Sequence, residues 1–217
     1  MTLAFVGGIL HEIVQGATSA TWPEQVATVL GITGVWLTMR ESLWNFPVGL
    51  VQVAIFGWVC FEGRLYSDAL LQVFFFGALA YGWWHWQHAP GRGGRLEVQR
   101  LSGREAAAWT GGTLALWLLW GAGMARFTDA ALPWADGFVF AASVASQWLQ
   151  ARKDLENWIG WIVANTAAIA VFWVKGLYWF AALYFLFWLM AWGGLREWRR
   201  SWNSRRPSRA IPLKVEG

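Results

Sequence analysis

Apolar stretches of 18 to 25 residues, separated by short clusters of glycine, proline and charge, run along most of this chain. A helix that crosses a bilayer needs about 20 mostly apolar residues, and breaks between such runs are marked by Gly, Pro and charged side chains. The pattern predicts helices over 24–41, 44–62, 64–88, 106–126, 135–152, 156–175 and 177–198. The expected fold is therefore all-α and integral to the membrane, with seven transmembrane helices. Two connections, 88–105 and 127–134, are longer and polar, and the Arg-rich tail beyond Asn203 is expected to be disordered. Residues 1–23 lack the basic start and small-residue cleavage site of a signal peptide and are expected to form an interfacial N-terminal segment.

The pattern also repeats. Shifted by 112 positions, Trp36, Leu37, Arg40, Leu43 and Asn45 meet Trp148, Leu149, Arg152, Leu155 and Asn157; shifted by 113, Gln52, Gly63, Leu70 and Phe74 meet Asn165, Gly176, Leu183 and Phe187. Each copy contains three helices, so direct fusion would invert the second, and the helix over 106–126 restores its orientation. This predicts two parallel three-helix repeats joined by a linker helix (3+1+3), a plan in which substrate binds near mid-membrane between the repeats. The expected segments are 1–23 (interfacial), 24–88 (repeat 1), 89–134 (basic loop and linker helix), 135–198 (repeat 2) and 199–217 (basic tail).

Composition agrees: 57% of the 217 residues are hydrophobic and only 14% charged, against about 25% charged in soluble domains. Seven spans place fourteen Lys and Arg residues on one side, including Arg40, Arg92, Arg95, Arg100, Arg104, Arg152 and Lys153, and only Arg64, Arg126 and Lys175 on the other. Cytoplasmic loops retain basic residues, which predicts an outside N-terminus and a cytoplasmic C-terminus. Topology and anionic membrane lipid thus account for the basic charge, and nucleic acid is not an expected partner. The single cysteine, Cys60, excludes a disulfide within one chain and reads as core filler.

The candidate chemistry is centred on WIGWIVANTAAIAVFWVKG, Trp158 to Gly176. At 100° per residue, Trp158, Trp161 and Asn165 share a sector of about 60°. Uncharged amides within a span face a partner helix or a cavity, and Asn45, Gln52, Gln72, Asn157 and Asn165 form such a set. Gln52 and Asn165 occupy equivalent positions in the two repeats. Twenty tryptophans exceed the need of interfacial belts. Indole faces stack on flat rings and attract cations, while carboxamides both donate and accept, so a flat, polar heterocycle or a simple sugar suits the pocket. Hydrolytic motifs are missing, and His11, His85 and His88 have no metal-ligand arrangement on the inner helices, so neither an enzyme nor a cofactor is expected. Ion-coupled carriers usually keep a carboxylate at mid-membrane; none is expected here, which predicts uncoupled transport.

The WxxWxxxN motif in helix 6 of a seven-helix chain, with a Trp-rich first repeat containing WNFPVGLVQ, resembles the PnuC-type vitamin transporters over about residues 24–198. The resemblance implies a SWEET-like fold, a bacterial inner-membrane homotrimer, and facilitated diffusion of nicotinamide riboside, which a cytoplasmic nicotinamide riboside kinase then traps. It implies ligand contact by Trp158, Trp161 and Asn165, with Gln52, Asn45 and Gln72 as further candidates. Relatives carry thiamine or riboflavin. The competing readings are another vitamin, a small sugar, or a non-transporting membrane scaffold whose Trp stripe is helix packing.

Overall fold

The computed structural model describes residues 2–62, 66–88 and 96–204. Arg64, Arg92, Arg95 and the basic tail from residue 205, which entered the charge count, lie outside the described residues. Eight helices are present among those described: α1 (Thr2–Ser19), α2 (Trp22–Met39), α3 (Asn45–Glu62), α4 (Tyr66–His88), α5 (Gly103–Phe127), α6 (Pro133–Ala151), α7 (Asn157–Val174) and α8 (Tyr178–Ser204). All seven predicted helices are found, six of them within three residues at each end, while α8 runs six residues past the expected end at 198 and into the segment read as a basic tail. The N-terminal segment adds an eighth, which packs on α8 with Gly16 against the Trp179 side chain. By length and composition, α3, α7 and α8 each suffice to cross a membrane.

Local signals set the helix starts. The Thr21 amide donates to the Glu24 carboxylate (2.6 Å) to open α2, and Ser102 with Glu105 forms the same reciprocal cap at α5. Large apolar side chains remain on the outside, among them Trp58 (64% exposed) and Val73 (67%). Such a surface suits lipid rather than water.

Six helices close into a ring: α2 packs on α3, α3 on α4, α4 on α6, α6 on α7, α7 on α8, and α8 back on α2. Helix α5 packs on α6, and α1 on α8, both outside the ring. Exchanging α2–α3–α4 with α6–α7–α8 turns the α2–α8 contact into the α6–α4 contact, so the ring's cross-connections are related by a pseudo-two-fold.

Residues 112 apart carry that relation into side-chain detail at the ring's basic end. Helices α2 and α6 both terminate in a residue with left-handed backbone, Glu41 (φ 53°) and Lys153 (φ 66°). In each case two turn hydrogen bonds close the helix end, Glu41 N to Thr38 O and Ser42 N to Leu37 O, matched by Lys153 N to Gln150 O and Asp154 N to Leu149 O. Glycine normally occupies this position. Here the two equivalent residues pair with each other, Lys153 Nζ lying 2.9 Å from Glu41 Oε2, and the buried ammonium also donates to Leu96 O (2.7 Å) and faces the Trp86 ring at 4.4 Å.

The same relation holds one layer in. Trp86 Nε1 donates to Ala151 O (3.1 Å), and Trp198 Nε1 donates to Thr38 O (3.0 Å), each indole reaching the end of the opposite three-helix unit. Phe46 meets Trp86 edge to face at 5.0 Å, as Trp158 meets Trp198 at 5.4 Å. All four rings are at most 2% exposed and close the ring at this end. Segment 96–102 is tied over the closure: Gln99 N donates to Lys153 O, Leu155 N to Gln99 O, and Arg100 pairs with Glu156 at 3.1 Å. Burial pushes the neighbouring Asp154 carboxyl up to about 6, although Arg152 Nε stands 2.8 Å from it.

Candidate ligand-binding site

Above the four-ring layer the ring holds a polar interior. On α7, Asn165 lies eight residues from one end and nine from the other, about 12 Å of rise from the basic end. It is 5% exposed, and its carboxamide makes no hydrogen bond among the described residues. Neither of its polar atoms is sealed away, so the amide remains available inside the ring. Trp161, one turn closer to the basic end, crosses the interior: its Nε1 donates to Gln150 Oε1 on α6 (3.0 Å), and its ring stands 6.3 Å from Phe75 on α4. Gln52 on α3 lies beside Gly31 of α2, where Phe187 of α8 also arrives. It therefore sits at a three-helix junction facing inward, at a depth on α3 similar to that of Asn165 on α7.

Three other expected site residues have different surroundings. Trp158 shares the helical sector of Trp161 and Asn165, but its indole fills a slot that Gly194 of α8 leaves open and is only 1% exposed. It belongs to the four-ring layer, on the basic side of Trp161 and Asn165. A side chain at position 194 would collide with this indole. Asn45 is buried and its Nδ2 donates to Ser42 O (2.5 Å), just as Asn157 Nδ2 donates to Asp154 O (2.6 Å). Both asparagines hold the turn that leads into the second helix of their unit. Gln72 lies against Gly57 at the α3–α4 contact, beside an open apolar groove of about 600 Å³ lined by Trp58, Phe61, Val73 and Phe76. Those neighbours face outward, and the groove is separate from the Trp161 and Asn165 interior.

A polar row on α6 escapes the list of amides read from the sequence: Ser143, Ser146, Gln147 and Gln150. Their spacing of three and four residues within an otherwise apolar helix was the available signal. Ser146 donates to Ala142 O and abuts Gly160, Gln150 receives Trp161, and Gln147 is buried with an unpartnered Nε2. Of the three histidines, His85 stacks on Tyr81 at 5.4 Å and the His88 ring is bonded to Trp84 O; no group of metal-binding side chains occurs among the described residues. Within the ring helices, Asp, Glu, Lys and Arg occur only near the ends. Among the described residues the interior is therefore without formal charge, aromatic on two sides and supplied with amides.

Comparisons with known proteins bear on the family and the fold. A family model described as nicotinamide mononucleotide transporter matches residues 21–200. The chain is 28% identical to the nicotinamide riboside transporter PnuC of Escherichia coli, over 90% of this chain and 92% of that one. It is also 28% identical to the riboflavin/roseoflavin transporter RibM of Streptomyces davaonensis, over 88% and 89%. Among solved structures, the crystal structure of the vitamin B3 transporter PnuC superposes with a TM-score of 0.71, at 20% identity and 91% coverage of both chains. Helix α1 lies outside the family match, whereas the ring helices lie within it except for the last four residues of α8. The chain belongs to the nicotinamide mononucleotide transporter family, whose members are membrane transporters and not enzymes.

Proposed function

We propose that this protein carries nicotinamide riboside across the bacterial inner membrane by facilitated diffusion. The observation that carries this reading is the pairing of Trp161, an indole inside the ring, with the uncommitted mid-depth carboxamide of Asn165. A pyridinium ring can face the indole, and the amide can serve ribose hydroxyls or a ligand amide. Gln52 completes the lining from the first unit, with Trp158 as floor; Asn45 and Gln72 support the helices around it. The pairing of equivalent residues across the ring supports a 3+1+3 arrangement of α2–α4, α5 and α6–α8 as seven spans, SWEET-like in plan. The Lys and Arg distribution supports an outside N-terminus. A homotrimer, and trapping by a cytoplasmic nicotinamide riboside kinase, complete the proposal.

Two relatives with different named substrates are equally identical to this chain, so overall identity does not choose the ligand. The neutral interior bears on the choice between riboside and mononucleotide. A 5′-phosphate carries about −1.5 to −2 charge near pH 7, and burying it without a cation is costly. Among the described residues, α3, α4 and α7 carry no Lys or Arg at the depth of Trp161 and Asn165. Uptake into liposomes tests the proposal: labelled nicotinamide riboside should enter until concentrations are equal, unaffected by proton or sodium gradients, while nicotinamide mononucleotide stays outside. Accumulation driven by either ion, or equal entry of the mononucleotide, overturns it.

A further inference from the structure

Gln147 is 6% exposed, and its Nε2 has no hydrogen-bond partner among the described residues. On α6 its neighbours in sequence face opposite ways: Ser146 abuts Gly160 of α7, and Trp148 stacks on Tyr81 of α4 at 5.1 Å. A residue between two such positions points between α7 and α4. Ala151, one turn on, packs on Gly82 of α4, and Gln150 meets Trp161 of α7, which places Gln147 on the interior side. The nearest polar side chains on α6 turn to other partners: Ser146 Oγ donates to Ala142 O, and Gln150 Oε1 accepts from Trp161. A buried amide donor that no protein group takes up calls for a partner from elsewhere.

The level of Gln147 suggests that partner's chemistry. The Ser146–Gly160 and Gln150–Trp161 contacts put Gln147 beside Trp161, with Asn165 one turn further along α7. A flat ring lying on the Trp161 indole would direct a ring substituent at Gln147 and the rest of the molecule at Asn165. We propose that Gln147 is a specificity-determining residue that reads a planar carboxamide on the ligand ring through a paired donor and acceptor, and rejects the corresponding carboxylic acid. A carboxamide matches the amide edge twice; a carboxylate can accept from Nε2 but opposes its own charge to Oε1. This inference rests on the transport reading above and extends it to the ligand group that is selected.

Calorimetry on the full chain in detergent, with nicotinamide riboside, nicotinic acid riboside and riboflavin as probes, tests it. The parent protein should bind the amide riboside at least about tenfold more tightly than the acid. Gln147→Met, close in shape and unable to pair, should weaken amide binding by about tenfold and bring the two ribosides to similar affinity. Gln147→Glu should keep amide binding within a few fold and reject the acid more strongly than the parent does. Opposite movements of one selectivity ratio are not expected from a packing role. An unchanged ratio in both variants overturns the inference. Should the parent bind riboflavin and not the ribosides, the nicotinamide riboside reading fails on its own; loss of riboflavin affinity in Gln147→Met then still supports amide-edge recognition, and unchanged affinity overturns it.

Discussion

Asn165→Leu should fold like the parent protein and bind nicotinamide riboside about 5- to 150-fold more weakly. The fold should survive because the Asn165 amide is bonded to nothing among the described residues, so its replacement by an apolar side chain leaves no protein group unpartnered. Binding should fall because a ligand hydroxyl or amide that had exchanged water for the Asn165 amide now meets a methyl group, at a cost of about 1–3 kcal/mol. Gln52→Leu, the change at the equivalent position of the first unit, is the natural companion. Calorimetry on the purified variant, with thermal unfolding as the control for folding, checks the result. Unchanged affinity in a folded Asn165→Leu protein would make this residue helix packing.

Glu41→Gln should destabilise the protein by about 3–5 kcal/mol, since removing one partner leaves a buried charge uncompensated. Lys153 is 5% exposed at its side chain, and the Leu96 carbonyl and the face of Trp86, which also hold it, carry no formal charge to replace the carboxylate. Lys153→Met should cost less, because the remaining Glu41 carboxylate is 17% exposed and closer to water. The double variant Glu41→Gln/Lys153→Met should recover most of the loss, as apolar replacement of a buried pair often does. Melting temperatures of the four proteins in one detergent measure this directly. Equal temperatures for the parent and Glu41→Gln would show that the pair does not hold the basic end closed.

How much of this was legible in the sequence differs from element to element. The seven helices were readable because Gly, Pro and charge interrupt long apolar runs, as at Glu41–Ser42 and Lys175–Gly176. Helix α1 was read only as an interfacial segment, since HEIVQG mixes polar and apolar residues without a clear lipid face. The repeat was found through Asn45/Asn157 and Gln52/Asn165, but its structural consequence was hidden. Equivalent residues near a pseudo-two-fold axis approach each other, so opposite charges at Glu41 and Lys153 form a pair that no local pattern reveals. Trp158 shares the angular sector of Trp161 and Asn165, but the slot its indole fills is left by Gly194, 36 residues later. Periodicity gives the direction of a side chain and says nothing of which neighbour leaves room for it. Gln147 went unread because the polar row on α6 is discontinuous, and which of its members finds a partner is decided by α7.

The central claim is that the ring interior selects nicotinamide riboside. Calorimetry of the purified full chain with nicotinamide riboside, thiamine, riboflavin and glucose, run side by side under one condition, addresses it most directly. The account predicts saturable binding of nicotinamide riboside, with each of the other three at least about tenfold weaker, as expected when a buried amide is matched by one ligand and left unpaired by the rest. Saturable binding of riboflavin, thiamine or glucose at equal or higher affinity, or no saturable binding of the riboside, would contradict it.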